Sequence, residues 1–110
     1  MAQDFIVPIE MQTVNTATIG AGAFTAIGNP LAGALSFIRI TNTSNTAVII
    51  SYDGVTDHEY VEASGGRIET YFQINAIPAN YVSKLRKGTV LYVRGTAGIG
   101  LVYISGYYNG

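Results

Sequence analysis

Eleven consecutive residues, SYDGVTDHEYV (51–61), gather two aspartates, a glutamate and the chain's single histidine. Three chemistries would use such a set. Calcium accepts irregular oxygen cages, so Asp53, Asp57, Glu59 and loop carbonyls form one candidate. Asp53-Gly54-Val55-Thr56-Asp57 nevertheless fails the EF-hand template, which needs acidic or Asn ligands at alternate positions, glycine at the sixth and glutamate at the twelfth. Zinc held by Asp53, His58 and Glu59 lacks a further good ligand, because there is no second histidine and no cysteine. A hydrolytic set would use His58 as general base, Asp53 or Asp57 to orient it, and Ser51 or Ser64 as nucleophile. No nucleophile elbow accompanies these residues. A simpler arrangement competes with all three: Asp-Gly is a strong turn signal, so Tyr52 ends a strand, Asp53-Gly54 turns the chain and the charges stay solvated. That arrangement is the expectation, with no catalytic residue, metal or cofactor.

Other stretches carry weaker signals. The glycines of IGAGAFTAIG evoke a phosphate loop but lack the third glycine at the right offset and a convincing helix after it, so a glycine-rich connection is expected. Tyrosine is the more unusual resource, at eight of 110 residues. Tyrosine combines large contact area with a polar tip and suits protein interfaces or stacking on sugar rings. Tyr71, Tyr92, Tyr103, Tyr107 and Tyr108, with Arg86, Asp53 and Asp57 as charged members, form the candidate interface. A carbohydrate-binding module using exposed tyrosines is the alternative, although the chain has no tryptophan. SKLRKG (83–88) is a small basic cluster, read as a solvated edge that discourages unwanted strand pairing. Arg39, Arg67 and Arg94 sit in predicted strands, where arginines pair with carboxylates such as Glu69 or with a neighbouring subunit.

The elements that must position these residues follow from composition and periodicity. A chain of 110 residues suits one domain. Apolar residues make up 48% and charged residues 12%, the latter about half the usual charged fraction, so much surface is uncharged or covered by a partner. Six basic against seven acidic residues give a net charge of −1, which lacks the electrostatic footprint of a nucleic-acid binder and gives little repulsion between copies. The N-terminus has no basic n-region, and no window reaches the ~18 apolar residues of a membrane span. The expectation is a soluble chain made in the cytosol, with no membrane contact.

Short Val-, Ile-, Tyr- and Thr-rich segments separated by Gly, Asn, Ser and Asp predict an all-β chain. About seven strands are expected, near Phe5–Gln12, Leu35–Thr41, Ala47–Tyr52, Glu59–Glu62, Arg67–Ile74, Thr89–Arg94 and Leu101–Tyr107. In RIETYFQI, Ile68, Thr70, Phe72 and Ile74 share one face and Arg67, Glu69, Tyr71 and Gln73 the other. AVII and TVLYV are nearly continuous apolar runs, as in strands covered on both sides. TNTSNTA (41–47) and TAGIG (96–100) predict hairpins, the latter joining LYVRG to LVYISGYY, and ASGG (63–66) predicts a third turn. ANYVSKLRKG (79–88) has the one stretch with helical spacing, and a short helix or a plain loop both fit it. The architecture expected is a single-domain β-sandwich of jelly-roll or immunoglobulin-like order.

Three stretches also carry a resemblance: VIISYDGVTDHEYV; IETYFQINAIPANYVSKLRKGTVLYVRG; and GTAGIGLVYISGYYNG. On these, which cover roughly the last two-thirds of the chain, the sequence resembles small virion structural proteins of tailed bacteriophages, many of which end in a "kGtxxYvkGtaGtGxvyvsgyy" pattern after a "vSyDG" strand. The resemblance implies a non-enzymatic β-sandwich in a head–tail connector, capsid decoration or collar or tail component. Its partners would be copies of itself and capsid, portal or tail proteins, assembled in the host cytoplasm. Residues 1–34, rich in glycine, are expected to act in part as an arm that docks onto a neighbour. Full packing of that segment within its own subunit would exclude the arm.

Overall fold

The computed structural model describes residues 6–71, 74–76, 81–83 and 85–109. Alternation of apolar and polar side chains sets the strands. In β4 (Leu35–Asn42), Ile38, Ile40 and Asn42 point inward and Phe37, Arg39 and Thr41 outward. In β7 (Gly66–Tyr71), Ile68 and Thr70 turn in while Arg67, Glu69 and Tyr71 turn out, as the period of two requires. The remaining strands are β1 (Ile6–Pro8), β2 (Gln12–Asn15), β3 (Thr25–Ile27), β5 (Val48–Ser51), β6 (Glu59–Val61), β8 (Ile74–Ala76), β9 (Tyr81–Ser83), β10 (Leu91–Arg94) and β11 (Leu101–Asn109). A single 3-10 turn, Thr16–Thr18, is the one helical element among the described residues.

The pairing is nested. β1 and β2 both pair with β11, β3 pairs with β10, β4 with β7 and β5 with β6, all antiparallel. Further pairings of β11 with β4 and of β10 with β5 close two sheets. The first sheet has the order β1/β2, β11, β4, β7 and the second β3, β10, β5, β6. Counting β1 and β2 as two halves of one strand, this is the eight-strand order of a jelly roll, a long hairpin folded back across two sheets. The sheets bury Ile38, Ile40, Val102 and Ile104 from one side against Ile27, Val48, Ile50, Val61, Leu91 and Val93 from the other. Each such side chain contributes about 1.5–3 kcal/mol on burial.

The all-β sandwich is as expected, with nine strands in the two sheets among the described residues rather than about seven. Several local expectations are corrected. TNTSNTA and TAGIG do not close hairpins, because β4 and β5, and β10 and β11, each lie in different sheets; the turn expected at ASGG is present and joins β6 to β7 across the sheets, so all three are arches over the ends of the sandwich. The predicted strand Phe5–Gln12 breaks into β1 and β2. Pro8 supplies no donor, and Ile9 turns into the core while its amide donates to the Gly106 carbonyl. β3 lies inside the glycine-rich stretch. The segment read as helix or loop contains β9, paired with β8 (Ile74↔Ser83, Ala76↔Tyr81). The runs AVII and TVLYV alternate, with Ile49 and Tyr92 half-buried on the outer face. Residues 6–34 form β1 to β3 and bury Ile9, Ile19, Ile27 and Leu31 in the sandwich, while Ile6, Met11 and the glycine-rich 20–23 stay exposed; residues 1–5 lie outside the described residues, as do Phe72 and Gln73.

Candidate functional site

Among the described residues, the stretch 52–58 is the one hairpin loop inside the two sheets, joining β5 to β6 (Val48↔Val61, Ile50↔Glu59). Its side chains organise its own backbone. Asp53 Oδ1 accepts from the amides of Val55 and Thr56, both at 2.8 Å, and from Ser51 Oγ at 2.8 Å. Ser51 Oγ in turn accepts from the Gly54 amide at 2.9 Å. Gly54 adopts a φ of 79° beneath the Tyr92 ring, a conformation and a clearance that favour glycine. The amides of Thr56 and Val55, and then the Ser51 hydroxyl, hold the Asp53 carboxyl well below the usual carboxylate range.

Asp57 is committed elsewhere. Arg94 on β10 meets it with two hydrogen bonds, Nε to Oδ1 at 3.0 Å and Nη2 to Oδ2 at 2.6 Å, and this contact lowers the Asp57 pKa. Asp57 is thus engaged in an ion pair within the chain. Arg86 lies in the exposed turn after Leu85, where its carbonyl accepts from Thr89 N and Oγ1. His58 Nδ1 accepts from the Tyr52 amide at 3.0 Å. In the neutral ring the proton therefore sits on Nε2. Tyr52 donates its phenol to Glu59 Oε2 at 3.2 Å, and burial, with the Glu59 charge adding to it, pushes its pKa above the ordinary range. Ser51 is fully buried and donates to Asp53 rather than to His58. Among the described residues no group of three His, Asp or Glu side chains is placed to hold a metal ion.

The tyrosines divide. Tyr108 points inward against the core and Gly33, and Tyr92 covers Gly54 on the second sheet. Tyr103, Tyr107 and Tyr71 share the outer face of the first sheet. There the register brings Tyr107, Phe37 and Tyr71 into one cross-strand row. Ring centroids are 5.9 Å apart for Phe37 and Tyr107 and 4.7 Å for Phe37 and Tyr71. The next row places Arg39 opposite Glu69, with Arg39 Nε donating to Glu69 Oε2 at 2.6 Å. Tyr103 lies a row further on, beside Thr41 and Arg67. Ile6, Ser36, Phe37, Arg39, Tyr71 and Tyr107 line a cleft of about 360 Å³. Phe37 and Ile6 were not foreseen as surface residues, since a lone Phe in an apolar strand gives no sign of which face it takes.

Fold and surface together define an antiparallel jelly-roll sandwich with a self-braced hairpin loop at one end and an aromatic row on one face. Compared with protein families, with curated proteins and with solved structures, the chain has no significant match.

Proposed function

We propose that the protein is a non-enzymatic structural component of a tailed-phage virion, building a ring, lattice or tail-associated complex with copies of itself and neighbouring virion proteins. The resemblance of its last two-thirds to such proteins supports the reading, as do its sparse and balanced charge and its jelly-roll order. The observation that carries it concerns two exposed aliphatic side chains. Val55 is 82% and Ile99 81% exposed. Val55 sits on the loop after β5, and Ile99 on the arch that hydrogen-bonds Asn45 just before β5, so the two mark opposite ends of that strand.

Both are held on fastened backbone. The Val55 amide donates to Asp53 Oδ1 at 2.8 Å and the Ile99 amide to Asn45 Oδ1 at 2.9 Å. An aliphatic side chain kept in water on an ordered loop forgoes about 1.5–3 kcal/mol of burial, which a neighbouring subunit recovers by covering it. Two unlike ends favour a head-to-tail contact, and such contacts generate rings or open stacks.

The test is size exclusion with light scattering. A defined oligomer is expected, shifted toward monomer by Val55→Asp or Ile99→Asp, with a coding sequence lying among those of capsid, portal or tail proteins. A chain that stays monomeric at high concentration, encoded away from such genes, would overturn the reading.

A further inference from the structure

We propose that the aromatic cleft on the outer face of the first sheet is a binding site for a neutral sugar, a pyranose ring whose C–H face lies on Tyr71 and Phe37 while its hydroxyls meet Arg39 and Glu69. The inference goes beyond the assembly reading and does not depend on it, since the cleft lies on a sheet face and Val55 and Ile99 on the ends.

Three features carry it. The first is shape: Phe37 is tilted 50° to Tyr71 and 35° to Tyr107, so the rings form a shallow trough rather than a flat sheet surface. Its volume, about 360 Å³, falls within the ~300–1,000 Å³ of small-molecule sites, which are typically apolar with a few placed polar groups. The second is exposure. Tyr71 is 70% exposed although it stands in a regular strand, so its ring presents a face to a ligand rather than filling the core.

The third is the polar equipment. Arg39 spends Nε on Glu69, and its guanidinium lies 5.5 Å from the Phe37 centroid. Among the described residues its two terminal nitrogens and Glu69 Oε1 have no hydrogen-bond partner, and both side chains are more than a third exposed. Ser36 Oγ donates to the Tyr107 carbonyl and keeps its lone pairs for a ligand. Donors and acceptors thus stand side by side at the edge of an aromatic floor, the pairing that vicinal hydroxyls above a C–H face require.

The charge of this wall selects among ligands. Guanidinium and carboxylate cancel, so the site has no surplus for a phosphate, sialate or uronate. A flat apolar protein surface would desolvate the ion pair without satisfying its remaining donors and acceptors, which is costly. A polyhydroxylated neutral ring satisfies them.

The experiment titrates the ¹⁵N-labelled full chain with cellobiose, lactose and maltose, in parallel with an array of neutral and acidic glycans. Saturable amide shifts centred on Phe37, Arg39, Glu69, Tyr71 and Tyr107 are expected with at least one neutral disaccharide. Tyr71→Ala and Glu69→Gln should each weaken that binding about ten-fold or more, and Val55→Asp should leave it unchanged. Because Tyr71 and Glu69 are exposed, both variants should keep the wild-type circular dichroism. Absence of shifts with all three disaccharides together with no neutral glycan bound on the array would overturn the proposal. So would binding confined to acidic glycans, or wild-type affinity in both variants.

Discussion

Arg94 and Asp57 stand 37 residues apart in the chain and meet in a two-pronged ion pair, with N to O distances of 2.6 and 3.0 Å. The same guanidinium donates Nη1 to the Ala21 carbonyl at 3.0 Å and lies 5.6 Å from the Phe24 ring centroid. One side chain on β10 thus ties the β5–β6 hairpin loop to the glycine-rich connection before β3. The planar fork makes this possible, and a lysine has no equivalent. Arg94→Lys should therefore lower the melting temperature more than Asp57→Asn, because it releases both loops. The pair is partly exposed, so the Asp57→Asn effect should shrink at about 1 M salt. Melting curves at low and high salt check this, and equal losses in both variants, insensitive to salt, would contradict the clamp.

Acid should unfasten the hairpin loop. The folded state holds Asp53 and Asp57 below the ordinary carboxylate value of 3.8, Asp53 through the amides of Thr56 and Val55 and the Ser51 hydroxyl, Asp57 through the hydrogen bonds from Arg94. The unfolded chain takes up these protons more readily than the folded one. Their stabilisation is then fully present above about pH 4 and lost as pH falls below it toward the folded-state values. Urea midpoints measured from pH 7 downward should be flat in this respect until about pH 4 and then decline. Asp53→Ala should start lower and decline less steeply, and a parallel curve would mean that Asp53 contributes nothing to the acid response.

The same bonds bear on calcium. Asp53 Oδ1 already takes three donors and Asp57 uses both oxygens on Arg94, so a cation held by both aspartates would have to displace the Arg94 pair that braces the loop. Adding calcium or a chelator should leave the melting temperature unchanged. A calcium-dependent rise abolished by Asp53→Ala and Asp57→Ala would restore the metal site.

The hairpin loop was legible because its signal is local. Asp-Gly, the buried serine before it and the charges after it all act within eight residues. The alternation of β7 and the pairing of Arg39 with Glu69 were legible for similar reasons, since period and charge type suffice. The arches were not. Glycine, asparagine and serine serve a tight hairpin and an arch between sheets equally well, and what separates the two is each strand's distant partner. β3 escaped notice because three residues between glycines hold too little pattern. The aromatic row depends on a register that aligns Tyr107 with Phe37 and Phe37 with Tyr71, and on the shift between Tyr107 and Tyr108 that leaves Ser36 as an extra residue and lets Leu35 turn inward. Neither is written in any single stretch.

Asn42 joins two of those arches. Fully buried at the end of β4, its Nδ2 donates to the carbonyls of Thr46 at 2.8 Å and Glu62 at 3.1 Å, and its Oδ1 accepts from Ser44 N at 3.0 Å and Ser44 Oγ at 2.6 Å. Each buried group left without a partner costs about 1–3 kcal/mol, so Asn42→Ala should destabilise by about 3 kcal/mol or more. Asn42→Asp keeps the acceptor but sets a carboxylate against two carbonyls, and should be no better. Equilibrium urea unfolding measures both. A loss below about 1 kcal/mol in Asn42→Ala would show that water replaces the side chain.

Two substitutions at the entry to β7, one in the turn and one at the strand's first residue, should have opposite signs although they stand two residues apart. Ser64 has a φ of 61°, in the left-handed region where a side chain costs roughly 1–2 kcal/mol. Its amide donates to the Ser44 carbonyl and the Gly65 amide to the Asn42 carbonyl, both at 2.8 Å, so the arch fixes the conformation in spite of that cost. Ser64→Gly removes the strain but frees the unfolded chain, leaving a net change between zero and about 1 kcal/mol of stabilisation. Gly66 is different: its backbone lies outside the left-handed region, but a Cβ there would run into the Glu62 carbonyl group. The obstacle is backbone, not a side chain that can swing away, so Gly66→Ala must shift the turn and loosen the bonds that Asn42 makes on the same arch. A loss of about 2–3 kcal/mol is expected. If urea unfolding showed Gly66→Ala to be neutral, the close approach of the β6–β7 arch to the start of β7 would be wrong, and the stitching of the two arches through Asn42 would have to be weaker than its side-chain hydrogen bonds imply.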